Sequence, residues 1–355
     1  MASRRLLRSD HSLVLSTVLR RLRFLSSSST ATIDAKPSMS GKMQCTDTVL
    51  MIRPGCFNYN PKTAVDNRFQ VQLKGLTPTQ VQERALEEFE GLVSKLRSAK
   101  VNVIVEEDTL KVSTDTVFPN NWISFHQDHK IVIYPMKAEN RRVEKRYDIV
   151  DFWKGKSEAE VVDYSRYEQE GKFLEGTGSM VLDRVNRIAF ACKSQRTNIE
   201  MVDQFCTDLG YTPVIFSASQ IVDGQSYPIY HTNVMLSIGD TFAIVCLDAI
   251  RDDAEKGRVL YTLLKCGKCT IIPISEEQMN SFAGNVLQLS SSDGRRLLVM
   301  STRAFNSLSA GQLTAIHQHC SDIVHCSLET IETLGGGGAR CMIAEIFPPN
   351  RAVAT

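Results

Sequence analysis

One cysteine in the chain, Cys341, stands at the end of Leu334-Gly335-Gly336-Gly337-Gly338-Ala339-Arg340, and the apolar segment Met342–Phe347 follows at once. A linker does not normally open directly onto a core strand. The glycines are therefore expected to let the backbone approach something closely and to leave one thiol at the mouth of a strand. Taken alone, the stretch also allows a flexible turn before a closing strand with an ordinary buried cysteine. A thiol at its ordinary pKa of about 8.5 is mostly protonated at neutral pH, so as a nucleophile it needs a positive neighbour or substrate. His231, in Tyr230-His-Thr-Asn-Val234, supplies a proton carrier. Glu175, in Phe173-Leu-Glu-Gly-Thr177, can orient that imidazole or hold a cationic substrate, and Asp115, six residues ahead of Asn121, can reach the same pocket.

These residues are far apart in sequence, and a repeating pattern is what brings them together. Thr48–Pro54 reads as a buried strand and Phe69-Gln-Val-Gln as extended. A helix opens at Thr77 with apolar residues at Val81, Leu86, Phe89, Leu92, Val93 and Leu96, and Val101–Val105 is a second strand. From Phe118 onward a unit of about fifty to sixty residues recurs as strand, turn, strand, helix, strand. The copies open at Phe118-Pro-Asn-Asn-Trp122, Phe173–Thr177, Tyr230–Val234 and Phe282-Ala-Gly-Asn-Val286. Their helices fall at Asn198–Leu209, Asp253–Leu264 and Ala310–Cys320. With the first unit, and Cys341–Phe347 returning to pair near it, the count is five. Alternating strands and helices make the class α/β. Every copy begins with an apolar residue followed by a polar group: Asn120 and Asn121, Glu175, His231 and Asn233, Asn285, and finally Cys341. Five copies around an axis would carry these positions to its centre.

The totals allow a large core in 355 residues that are 43% hydrophobic. The net charge of +1 hides an asymmetry, because the first 36 residues hold seven basic and two acidic residues and the remainder is at −4. A mildly acidic body without a dense basic stripe argues against nucleic acid as a partner. Residues 1–40 are arginine- and serine-rich and acid-poor, as in an organelle transit peptide, with the mitochondrion expected before the plastid and the cytoplasm as the remaining alternative. The expected catalytic domain is then 41–355, a single unit. The leader's apolar runs are broken by charge and too short to span a bilayer, so no membrane partner is expected. Ten cysteines without disulfide-like spacing suit a reducing compartment. Cys266-Gly-Lys-Cys269 has metal-knuckle spacing but no matching second pair, so no metal is expected.

The motifs Phe118-Pro-Asn-Asn-Trp122, Leu174-Glu-Gly-Thr-Gly178, Ser194-Gln-Arg-Thr-Asn198, Tyr230-His-Thr-Asn233 and Gly337-Gly-Ala-Arg-Cys341 together resemble the guanidine-modifying enzymes. That superfamily includes arginine deiminases, dimethylarginine hydrolases, amidinotransferases and citrulline hydrolases. The resemblance covers roughly residues 45–350. The Phe-Pro-Asn-Asn-Trp and Leu-Glu-Gly-Thr-Gly-Ser forms are most similar to the arginine-deiminase-related branch that contains citrulline hydrolases. It implies the pentein fold, a five-bladed α/β propeller built from five pseudo-repeated ββαβ units. By resemblance Cys341 attacks the central carbon of a guanidino or ureido group. His231 protonates the departing amine and then activates water, with Glu175 beside it. Asp115 holds substrate nitrogens, and Arg141 and Arg196 hold the substrate carboxylate, a job suited to a planar, always-charged fork. No cofactor is implied; the expected partner is a small amino-acid substrate, and self-association into a homo-oligomer is left open.

Two positions depart from the guanidine-processing pattern. Where many relatives carry aspartates, this chain has Asn121 and Asn233. A guanidinium stays charged and needs paired carboxylates when buried. A ureido group is neutral, and its carbonyl oxygen is better served by amide donors, each worth about 3 kcal/mol at a developing oxyanion. A ureido substrate such as citrulline, cleaved to ornithine, ammonia and carbon dioxide, is the resulting expectation. Asp115 and Glu175 keep arginine deimination, dimethylarginine hydrolysis and amidino transfer as alternatives. A binding protein of the same fold, like the ribosome anti-association factor that shares it, is the alternative outside enzymes.

Overall fold

The computed structural model describes residues 43–268 and 270–347, and the expected leader lies outside them. Five three-stranded sheets share one strand order. The first joins Ala344–Ile346, Thr48–Arg53 and Asn102–Glu107. The second joins Ile123–His126, Lys130–Ile133 and Glu160–Asp163. Met180–Asp183, Ile188–Cys192 and Thr212–Phe216 form the third. Leu236–Ile238, Phe242–Val245 and Thr270–Pro273 form the fourth, and Leu287–Ser290, Arg296–Ser301 and Asp322–Cys326 the fifth. In each sheet the first pair is antiparallel and the second parallel. In the second to fifth sheets a short turn joins the antiparallel pair, while in all five the parallel pair needs a crossover, and a helix supplies it every time.

The first crossover shows how sequence dictates this. Thr77 caps the helix Pro78–Ser98 in a capping box with Gln80, and Pro78 sits where its missing N–H is harmless. Val81, Ala85, Phe89, Leu92, Val93 and Leu96 recur on one face and are all buried. They pack into a core shared with Val49, Met51, Val103 and the strands of the fifth sheet. Truncating Leu92, which is fully buried, to alanine would cost about 2–5 kcal/mol.

The other crossovers run at Tyr147–Ser157, Ile199–Leu209, Asp253–Lys265 and Ala310–His317. The chain's last described strand returns to pair antiparallel with its first, Leu50 opposite Ala344 and Thr48 opposite Ile346. The second unit has the crossover helix and third strand that the repeat calls for, at positions its hydrophobic pattern does not locate. A hairpin, Ser219–Val222 with Gln225–Pro228, was not anticipated. Phe69-Gln-Val-Gln forms no strand; it belongs to a covering segment described below. Cys266 caps a helix end as expected, and Cys269 lies outside the described residues. Among the described residues no helix is long and apolar enough to cross a membrane, and no cluster of three metal-ligating side chains forms.

Candidate active site

The polar residues that open each unit sit in or just before short turns ahead of the first strand of each sheet, rather than on the strands themselves. Asn120 and Asn121 lie in the 3₁₀ turn Pro119–Asn121. Glu175 precedes the single helical turn Gly176–Ser179. His231 precedes the 3₁₀ turn Thr232–Val234, which carries Asn233. Asn285 precedes Leu287, and Cys341 lies in the turn before Ala344. The turns bring side chains from distant sequence to one place, and one cavity is lined by Asp115, Asn121, Arg141, Arg196, His231 and Cys341. Glu175 and Asn233 stand directly behind it through their bonds to His231 and Cys341. All eight residues singled out in the sequence therefore meet.

Close approach between turns depends on glycine at two points. A Cβ on Gly178 would stand 2.7 Å from both Asn121 Nδ2 and His231 Nδ1. Gly336 has φ +67, and a Cβ there would lie 2.4 Å from Asn67 Nδ2. The glycine run is thus packed backbone rather than linker. Tyr230 fixes it further by donating its hydroxyl to the Gly336 carbonyl at 2.6 Å.

The Cys341 thiol is buried and meets two carboxamides. Asn285 Nδ2 donates to Sγ at 3.2 Å and Asn233 Nδ2 at 3.5 Å. Asn285 also accepts from the Gly338 N–H at 3.1 Å, so one amide holds both the glycine loop and the sulfur. Burial pushes the thiol above its ordinary pKa, and the bonds from Asn285 and Asn233 offset only part of that. His231 Nε2 lies 2.8 Å from Glu175 Oε2. Burial pushes the imidazole down while Glu175 opposes the shift. Burial also works against Glu175 ionising, but Arg196, His231 and Arg141 outweigh it and hold this carboxyl well below its ordinary range. An ionised Glu175 can only accept, so Nε2 carries the hydrogen and Nδ1 keeps its lone pair.

Both arginines are deeply buried and already engaged. Arg141 makes a bidentate contact with Glu144, from Nε at 3.0 Å and Nη2 at 2.8 Å, and donates Nη1 to Asn121 Oδ1 at 3.0 Å. Burial lifts Glu144 to about 7, against the pull of Arg141. Asp115 lies 3.6 Å from Arg141 Nε and accepts from Asn60 Nδ2 at 2.8 Å. Arg196 pairs with Asp66 from Nε at 3.0 Å and again from Nη2, and reaches Glu175 at 3.4 Å. Asn60, Asp66, Glu144, Tyr230 and Asn285 were not among the expected site residues. Asn285 and Tyr230 carried a signal, each standing at the opening of a unit; Asn60, Asp66 and Glu144 carried none.

Comparisons with known proteins agree with this geometry. The family model described as N,N dimethylarginine dimethylhydrolase, eukaryotic, matches residues 53–348. No curated protein matches the chain. Among solved structures, the substrate-bound N-terminal domain of ArgZ, an arginine dihydrolase from the ornithine–ammonia cycle in cyanobacteria, has a TM-score of 0.64 at 18% identity, covering 85% of this chain and 98% of that one. Its product-bound form has a TM-score of 0.64 at 19% identity over the same shares. A dimethylarginine dimethylaminohydrolase variant carrying an adduct with S-methyl-L-thiocitrulline has a TM-score of 0.56 at 13% identity, covering 85% of this chain and 100% of that one. At these identities the structures establish a shared fold, and the family model spans most of the sequence. The chain belongs to the eukaryotic N,N dimethylarginine dimethylhydrolase family, within the pentein superfamily of guanidine-modifying enzymes.

Proposed function

We propose that the chain is a hydrolase that cleaves the carbon–nitrogen bond of a ureido or guanidino amino acid through a covalent Cys341 intermediate, with citrulline the favoured substrate. One observation carries the choice: the side chains on the sulfur, Asn233 and Asn285, are carboxamides, as is Asn121 in the same cavity. Amide N–H groups suit a carbonyl oxygen that gains negative charge. The neighbours' ligands, an arginine-dihydrolase substrate and S-methyl-L-thiocitrulline, are of the same chemical kind.

In this mechanism the thiol proton passes to His231 Nδ1 and the sulfur attacks the ureido carbon. Asn233, Asn285 and Asn121 stabilise the charge that develops on oxygen. The carbon–nitrogen bond to the side chain breaks as His231 returns its proton to the departing nitrogen, releasing ornithine and leaving an S-carbamoyl cysteine. His231 then takes a proton from water, which adds to that carbon and displaces the thiolate. The carbamate released decomposes to ammonia and carbon dioxide. Glu175 holds the imidazole in the required tautomer throughout.

A second reading, arginine hydrolysis, is favoured by the Asp115 carboxylate in the cavity and Glu175 beside it, and by the arginine-dihydrolase neighbour. Ammonia release from citrulline and from arginine by purified protein separates the two. Release from arginine alone would reject the citrulline reading. Cys341→Ala should abolish turnover with its fold intact, whereas a purely binding protein would not respond.

The five like-ordered sheets, whose opening turns either line one cavity or bond to the residues that do, support reading residues 41–355 as a single catalytic domain, a five-bladed propeller with its site on the axis. The arginine- and serine-rich first forty residues are proposed to direct the chain to an organelle, the mitochondrion before the plastid. Imaging of that segment fused to a reporter tests this.

A further inference from the structure

The cavity beside Cys341 has a volume of about 10 Å³, barely what one water requires. An amino acid cannot enter until something moves, and the segment Asn60–Val71 covers it. Pro61, Lys62 and Val65 face solvent, while Thr63, Asn67 and Gln70 are buried on the inner side. The inner side is tied down by neutral hydrogen bonds. Gln70 Nε2 donates to the Leu334 carbonyl at 2.8 Å, Asn67 Nδ2 to the Gly336 carbonyl at 3.3 Å, and the Val71 N–H to the Thr333 carbonyl at 2.7 Å. Asp66 adds a charged tie, pairing with both Arg196 and Lys137.

Arg196 has five N–H donors, and their directions are decisive. Nε and one hydrogen of Nη2 point at Asp66 Oδ1, the second Nη2 hydrogen goes to the Thr63 carbonyl at 2.8 Å, and Nη1 reaches Glu175. Glu175 belongs to the fixed framework, whereas Asp66 and the Thr63 carbonyl both belong to the cover, so a second carboxylate can form a two-point fork with this guanidinium only once the cover has moved. Arg141 differs, because Glu144 lies three residues away on its own turn and belongs to the fixed framework. Asp66 belongs to the cover. Burial works against its ionisation, but Arg196 and Lys137 outweigh that and keep it charged at neutral pH.

We propose that Asp66 is a specificity-determining residue, an internal stand-in for the substrate carboxylate on Arg196, so that only a ligand bearing its own carboxylate replaces it and opens the site. This rests on the amino-acid substrate class proposed above. An incoming carboxylate exchanges one ion pair for an equivalent one. A ligand without it would leave the buried guanidinium with only its 3.4 Å contact to Glu175, which already serves His231, and so would cost most of a broken buried pair. The site thereby discriminates against decarboxylated analogues, however well their ureido or guanidino ends fit.

The test uses Asp66→Asn, which keeps the side chain's shape and removes its charge. Amide hydrogen exchange across residues 60–71 should quicken at least about tenfold in D66N while the strands of the first sheet hold their rates, as expected for a local opening. Calorimetry in a Cys341→Ala background, where no turnover interferes, reads the competition. D66N should tighten ornithine about tenfold by removing the closed population, and 1,4-diaminobutane, the same molecule without its carboxylate, should bind at least a hundredfold more weakly than ornithine to the Asp66 protein. Unchanged exchange in D66N, unchanged or weaker ornithine binding, no ornithine binding by either protein, or equal binding of the diamine would each overturn the proposal. None of these readouts depends on catalysis. Failure of the unaltered protein to turn over citrulline or arginine would instead reject the proposed reaction.

Discussion

Glu175 Oε2 sits 2.8 Å from His231 Nε2, with both side chains buried, and the same carboxylate also accepts from the Lys137 N–H at 3.1 Å and from Arg196. The carboxylate is therefore held from three sides and sets the tautomer of the imidazole. Glu175→Gln keeps the shape but lets the amide present an N–H to Nε2, which would move the hydrogen to Nδ1 and remove the base. Turnover should fall about 10³- to 10⁴-fold, as when a catalytic histidine is left in the wrong tautomer. Steady-state ammonia release measures it, and a drop under tenfold would mean that Glu175 serves packing rather than proton transfer.

Asn285 bridges the Gly338 N–H and Cys341 Sγ. Asn285→Ala removes a donor to the sulfur and a tie on the glycine loop together. Loss of one such donor is worth up to about 3 kcal/mol, or a hundredfold in kcat. Asn285→Asp should be the more damaging, since a carboxylate beside the sulfur opposes thiolate formation. If the two variants lose equal activity, the role is to position the loop rather than to stabilise charge.

The resting pair should be a thiol and a neutral imidazole, because burial raises Cys341 and lowers His231. Alkylation of Cys341 by iodoacetamide without substrate should be slow at pH 7 and accelerate only above the ordinary thiol range. A reactivity plateau at neutral pH would contradict this. On the acid side, His231 has a folded pKa below its unfolded one. The stability linked to it is present above about pH 6.5 and is lost as pH falls through that value towards the folded pKa. Glu175, also lowered, adds a further loss below about pH 4.5. Glu144, raised to about 7, acts in the opposite direction over the same range, so the test is a difference: His231→Gln should lose less thermal midpoint between pH 7 and 5 than the unaltered protein does.

Asn121→Asp and Asn233→Asp place carboxylates where the amides now stand. Each should shift the ratio of citrulline to arginine turnover towards arginine, by tenfold or more in the double variant. Single-turnover assays on both substrates give the ratio, and a shift towards citrulline would remove the argument from the amides. Asn121 also accepts from Arg141, so a carboxylate there gains a ready partner and is not expected to unfold the site.

Much of this arrangement is legible in the sequence because local chemistry imposes it. Turn residues recur at the opening of every unit, and a glycine run ending in Cys341 needs a close-packed backbone. The crossover helix Pro78–Ser98 announces itself through Thr77, Pro78 and its apolar face. The helix Tyr147–Ser157 does not, since no side chain caps it and it ends on Glu158 in the left-handed region with no glycine to mark the stop. The covering segment is invisible for another reason. Asn67 meets Gly335 and Gly336 across more than 260 residues, and no periodicity encodes such a contact. The family resemblance pointed to Arg141 and Arg196, but their carboxylate partners emerge only when the turns are folded together.

Acid-quenched mass spectrometry of Cys341 during turnover tests the central claim most directly. With citrulline, the account predicts a carbamoyl group on Cys341 that disappears as ornithine accumulates, and no adduct in Cys341→Ala. An amidino adduct from arginine, with citrulline leaving Cys341 unmodified and uncleaved, would contradict it.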